Sequence, residues 1–86
     1  MEATIIDCTQ IKTQGDLHRV FRESLSFPAW YGNNLDALYD CLTVLSGTVR
    51  LLHWDIAENN LGPYGKKAGN VIVAAALHNT ALDLYL

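Results

Sequence analysis

Three runs with strand character, Ala3-Thr4-Ile5-Ile6, residues 49–54 and residues 81–86, alternate along the chain with segments of helical periodicity. Strands spaced this way cannot meet through tight hairpins and must be joined by crossovers that lay helices on the sheet. The order β-α-α-β-α-β predicts an α/β fold, a small, mostly parallel three-stranded sheet covered by helices. A chain of 86 residues buries only about 60% of the surface that its unfolded form exposes, so every periodic segment must feed one core. Residues 1–86 are expected to form a single domain.

In the first helical segment Leu17, Val20, Phe21 and Leu25 recur at i, i+3, i+4 and i+8, with Thr13 or Asp16 as candidate cap. His18, Arg19, Arg22 and Glu23 are expected to face water. Pro28 stops this helix, since it lacks an amide donor and pushes the residue before it out of the α region. After the connector 29–32, Asn33 suits an N-cap, and Leu35, Leu38, Leu42 and Leu45 follow at helical spacing. Ser46-Gly47-Thr48 ends this second helix, residues 49–54 read as a strand, and residues 59–65 have the composition of a loop. Residues 68–77 suit a strand at Val71-Ile72-Val73 and a helix at Ala74-Ala75-Ala76-Leu77. The need for a crossover before the last strand selects helix.

The net charge of −3 is small, but its distribution is not even: no Lys or Arg lies between Arg22 and Arg50, whereas Glu23, Asp36 and Asp40 do. Scattered cations argue against nucleic acid as a direct ligand, which needs a basic stripe. The longest apolar run, residues 71–77, falls far short of the roughly 20 residues of a membrane span. The opening Met1-Glu2-Ala3 lacks the basic and apolar regions of a leader, and two cysteines, Cys8 and Cys41, are too few for a secreted disulfide scaffold. Reduced thiols in the cytoplasm are expected.

His18, His53 and His78 are too far apart for a local metal motif, and no cofactor is expected. His18 reads as a surface residue and His53, in an apolar strand, as a hydrogen-bonded core or edge residue. Residues 62–67 stand where a phosphate loop would occur, but only two residues separate the glycines and no Ser or Thr follows the lysines. A surface turn is the reading.

Asp36 and Asp40, at i and i+4, share the helix face opposite the leucines with Thr43, while Tyr39 lies at the boundary and Cys41 beside the leucine arc. Spacing alone fits a solvated acidic face. Trp30 and Tyr31 just before the helix, and the lack of any nearby cation in the sequence, resemble a binding surface instead. General acid-base chemistry needs a cleft and a raised carboxyl pKa, and a convex helix face supplies neither.

The run Pro28-Ala29-Trp30-Tyr31-Gly32-Asn33-Asn34-Leu35-Asp36-Ala37-Leu38-Tyr39-Asp40-Cys41-Leu42-Thr43 resembles the barstar family of ribonuclease inhibitors. Gly15-Asp16-Leu17-His18 and Leu52-His53-Trp54 extend the likeness, so that residues 3–55 match in order and spacing while the last third matches only in its helix-then-strand outline. The resemblance implies a bacterial immunity protein, not an enzyme, that binds a barnase-like ribonuclease stoichiometrically and is a monomer beforehand. Asp40 would stand at the nuclease's phosphate site with Asp36 in support, and Trp30, Tyr31, Gly32, Asn34, Tyr39 and Thr43 would complete the contact surface. Two departures qualify this: the family's tryptophan just past the helix falls near Leu45, and the last helix carries no acid between Glu58 and Asp83. Trp30 also stands in place of a usual tyrosine. A module of the same fold with a non-nuclease partner, and a small carboxylate-dependent hydrolase, remain open alternatives.

Overall fold

A computed structural model describes residues 3–86; the Met1-Glu2 opening lies outside them. Strand β1, Ala3–Asp7, runs into a single 3-10 turn at Cys8–Gln10, because the Asp7 carboxylate accepts from the Thr9 amide at 3.0 Å and the Thr9 hydroxyl at 2.7 Å. Helix α1, Gln14–Leu25, uses both candidate caps together. Thr13 accepts from the Asp16 amide at 3.1 Å while the Asp16 carboxylate accepts from the Thr13 amide at 3.2 Å, a reciprocal capping box. The helix ends before Pro28 acts: Ser26 adopts the left-handed conformation, φ 54°, and its amide bonds back to the Arg22 carbonyl.

Helix α2, Leu35–Thr43, precedes strand β2, Gly47–Leu52, which Gly47 opens at φ 116°, a conformation that disfavours any side chain. Strand β2 thus begins and ends two residues earlier than the expected 49–54. His53 turns the chain at φ 61° directly into helix α3, Trp54–Leu61, so His53 is an exposed corner residue rather than part of a strand. Gly62 alone separates α3 from helix α4, Pro63–His78, whose first position is taken by Pro63, where a missing amide costs nothing. The expected loop 59–65 is therefore mostly helical. The helix expected at 68–77 is present and longer in both directions. Strand β3, Leu82–Tyr85, completes the sheet.

The strand order is β1-β2-β3, all parallel, with Ile5 opposite Arg50 and Arg50 opposite Tyr85. Each crossover steps one strand in the same direction, so both lay their helices on the same face. Ile6, Val49, Leu51 and Leu82 point into that face and are buried among Leu17, Phe21, Leu38, Leu42 and Ile72 from the helices. The other face is open, and there Arg50 lies over the Tyr85 ring at 5.9 Å. Helix α2 packs chiefly on α4, and α3 also packs on α4. The approach of α3 to α4 is close enough that a β-carbon on Gly65 would lie 2.8 Å from the Glu58 Cα, well inside van der Waals contact distance.

Candidate functional site

The loop before α2 divides the aromatic pair. Trp30 stands 80% exposed, whereas Tyr31 is 4% exposed. A turn in which the Tyr31 amide donates to the Pro28 carbonyl at 3.0 Å swings that ring inward. There it packs 5.0 Å from Phe27, and its hydroxyl lies 2.6 Å from Nδ1 of His18. Tyr31, expected among the partner-binding residues, thus has its side chain packed beneath the loop.

His18 is likewise not a surface residue, being 3% exposed with Nε2 2.7 Å from the Tyr64 hydroxyl of α4. A neutral imidazole donates through one ring nitrogen and accepts at the other, so either tautomer satisfies both tyrosines. The position was open to inference, because His18, Phe21 and Leu25 share the helical period of the buried face; its two partners are distant in sequence. Burial holds the His18 pKa below its usual value. The unfolded chain then binds this proton more readily, so His18 supports the fold above about pH 6.5, and that support is lost as pH falls through 6.5 toward the lower folded value. Denaturant titrations between pH 7.5 and pH 5 should show stability falling by at most about 1.4 kcal/mol per pH unit from this group. His18→Gln should remove that slope above pH 5.5.

Gly32 lies against the cap of α2: a β-carbon there would meet the Asn34 side-chain nitrogen at 3.1 Å. The cap is Asn34 and not Asn33. Capping requires extended backbone, which Asn34 has at φ −140° and ψ 170°, whereas Asn33 is left-handed at φ 53°. Asn34 Oδ1 accepts from the Ala37 amide at 2.8 Å, and its Nδ2 donates to the Gly32 carbonyl at 3.2 Å. Loop and helix are thereby joined as one piece.

On α2, Leu38, Cys41 and Leu42 are buried while Asp36 and Asp40 are exposed on the opposite side. Asp36 sits in the first turn, where the helix dipole favours a carboxylate. Among the described residues the ion pairs are Arg19 with Asp16 and Arg19 with Glu23, so Asp36 and Asp40 have no cationic partner there. Thr43 donates to the Asp40 carbonyl at 2.8 Å, and the half-buried Tyr39 ring lies 6.5 Å from His78 of α4. The helix stops at Thr43, leaving Val44 83% exposed and Leu45 half-buried beyond it.

An open groove of about 400 Å³ runs between the end of α1 and the end of α2, with Trp30 and Asp40 both lining it. Val44, which belongs to this groove, is not among the residues expected from charge and aromatic content, although it continues the i, i+4 stripe of Asp36 and Asp40. Both cysteines are free and buried. Burial pushes the Cys8 thiol up to about 11, and burial together with the Asp40 charge raises that of Cys41, so neither is a thiolate nucleophile at neutral pH. Among the described residues no group of three His, Cys, Asp or Glu could hold a metal ion, and no helix is long and apolar enough to cross a membrane.

The C-terminal end of α2 is fixed by Asn79, just after α4. Its Nδ2 donates to the carbonyls of Leu42 at 2.9 Å and Leu45 at 2.6 Å, and its Oδ1 accepts from the Ala81 amide at 3.0 Å. One of these carbonyls lies in the last turn of α2 and the other just beyond it, so the end of the helix is tied to another element. Asn79→Ala should cost about 1–3 kcal/mol, read as a melting temperature lower by roughly 5–20 °C in circular dichroism.

The family described as Barstar (barnase inhibitor) matches residues 1–81. The chain belongs to the barstar family. The match takes in α3 and α4, well beyond residues 3–55, whose order and spacing carry the resemblance. The protein named "Putative ribonuclease inhibitor YrdF" from Bacillus subtilis (strain 168) is 37% identical over 78 residues, covering 87% of this chain and 86% of its own length. Barstar-family proteins are described by the enzyme they inhibit and not by a reaction they catalyse. The three parallel strands and four α-helices among the described residues are the α/β architecture expected of such a domain.

Proposed function

We propose that the protein is a stoichiometric inhibitor of a barnase-like ribonuclease, and that α2 with its preceding loop closes the nuclease's active site. The observation that carries this reading is the exposed α2 face, on which Asp36 and Asp40 have no ion-pair partner among the described residues. A ribonuclease site is lined with cationic side chains that hold phosphate, so carboxylates on a rigid helix are complementary to it in charge. Membership of a family described as barnase inhibitors, and a relative named as a ribonuclease inhibitor, support the same target class. Trp30, Asp36, Tyr39, Asp40 and Thr43 face the enzyme, while Gly32 and Asn34 let its surface approach the loop. Tyr31 acts from behind this surface.

Helix α4 contains no acidic residue and so adds no negative charge beside α2, which narrows the set of nucleases accepted. In this reading the protein is monomeric until it captures its target, works in the bacterial cytoplasm and gives the producing cell immunity to its own or a competitor's nuclease. Titration against barnase-type ribonucleases, followed by RNA cleavage, should reach full inhibition at one equivalent. Failure to inhibit any member of that class would overturn the reading, and recovery of a non-nuclease alone from the native host would replace it with a binding module.

A further inference from the structure

Strand β3 is an edge of the sheet, with β2 as its one neighbour. The Gly47 amide donates to the Ala81 carbonyl at 3.0 Å, and this sets the phase of the parallel ladder. Asp83 and Tyr85 turn their main-chain groups to β2, so the amide and carbonyl of Leu84, the carbonyl of Leu82 and the amide of Leu86 point outward. The Leu82 amide is already taken by the Asn79 carbonyl at 3.2 Å. Edge strands are commonly guarded by lysine or proline, and Leu82–Tyr85 has neither. The surface beside this edge is apolar as well. Leu77, 80% exposed, and Val73 line a groove of about 470 Å³ between α4 and β3, together with Leu84 and Leu86. On the open face of the sheet, Arg50 and Asp83 have no ion-pair partner among the described residues. The Arg50 guanidinium lies over Tyr85, its neighbour on the side of the edge.

We infer that β3 is the contact by which two copies of this chain pair, antiparallel and about a two-fold axis at Leu84, joining their three-stranded sheets into one. In that register Leu84 of each copy exchanges amide and carbonyl with Leu84 of the other, and each outward Leu82 carbonyl meets the Leu86 amide of the second copy. The outward groups of the edge are thus complementary to themselves. Leu86 of the second copy falls opposite Leu82 and enters the groove beside Leu77. On the open face, Asp83 of the second copy stands opposite Tyr85, at a non-hydrogen-bonded position where side chains come closest. Two strand spacings, roughly 9–10 Å, separate the main chains of that Asp83 and Arg50, and the guanidinium already lies across the Tyr85 ring between them. By symmetry this charge pair forms twice, which is what favours a second copy over a foreign strand. The contact falls well short of the roughly 20–30 residues a side of a standard interface, so its dissociation constant is on the order of 100 µM and the chain stands alone when dilute. No residue that lines the groove belongs to α2 or to the loop before it, and the pairing does not rest on the inhibitor reading.

Sedimentation equilibrium from about 1 µM to about 1 mM should show the mass rising from one chain to two, while hydrogen exchange at the Leu84 amide slows as the protein is concentrated. Asp83→Arg brings like charges together at both symmetric positions and should weaken association about threefold to tenfold, and adding Arg50→Glu should restore it. Leu77→Lys, at the groove, should weaken it about fivefold or more. All three positions are exposed, so the variants keep the fold, which melting curves of the dilute proteins check. A single chain at every concentration, a dimer whose Leu84 amide exchanges at an unchanged rate, or a dimer indifferent to the charge reversal would overturn the inference. A dimer lost in Val44→Arg but kept in Leu77→Lys would move the contact to the α2 side and overturn it too. Pairing by a chain that inhibits no ribonuclease would support the inference and remove the inhibitor reading, and inhibition by a chain that never pairs would do the reverse.

Discussion

Asp40→Ala should weaken inhibition of the target ribonuclease by a hundredfold to several thousandfold, with the fold intact. Removing one member of a desolvated charge pair leaves the enzyme's cations buried without a counterion, which costs about 3–5 kcal/mol. Asp40 is exposed in the free protein and has no cation to lose among the described residues, so the isolated variant forfeits nothing comparable. Alanine is the better helix former, and the substitution relieves the i, i+4 repulsion with Asp36. The melting temperature should therefore hold or rise slightly while the dissociation rate of the complex increases. Inhibition constants measured beside melting curves check both halves. An Asp40→Ala protein that inhibits as well as the parent would show that the carboxylate does not face the enzyme's phosphate site.

Gly65→Ala should be the most damaging small substitution in the scaffold. Its new methyl group would press on the Glu58 main chain, which cannot move aside as a flexible side chain could without disturbing α3. A cost of about 3 kcal/mol or more is expected, equal to a fall of roughly 12–24 °C in melting temperature for a domain of this size. Native stabilities near 0.05–0.15 kcal/mol per residue leave a domain this small little margin, so the variant should be partly unfolded at 37 °C. Gly62→Ala offers the contrast, since space is open there and only the left-handed backbone at φ 63° opposes the side chain. Thermal melts of the two variants should place Gly65→Ala clearly lower.

Helix α2 was legible because its leucines repeat at a spacing that few other structures tolerate, and three of the four it predicted do lie in the helix. Its cap was not legible, since Asn33 and Asn34 carry the same side chain and differ only in the backbone conformation that the preceding turn imposes. Helix α3 escaped notice for another reason. Its Asn59-Asn60 stretch has weak helical preference, and what holds it is burial of Trp54 and Ala57, a tertiary effect. The expected loop at 59–65 and the extension of β2 to residue 54 are two sides of that one omission. At the site, the carboxylates and Trp30 could be found from charge and aromatic content. The inward turn of Tyr31 depends on His18 and, through it, on Tyr64, partners that local periodicity does not reach.

The support that α2 takes from α4 and Asn79 has a consequence for timing. A nine-residue helix by itself is too short to persist in water, where about 12–15 residues are marginal. While the ribosome is still short of residue 79, the segment that carries Asp36 and Asp40 has been made but lacks the complete helix on which it chiefly packs. The α2 surface comes into being only after residue 79 has been made, together with the pairing of β2 and β3. In the proposed role only chains extended past residue 79 protect, so the supply of inhibitor has to run ahead of the target ribonuclease.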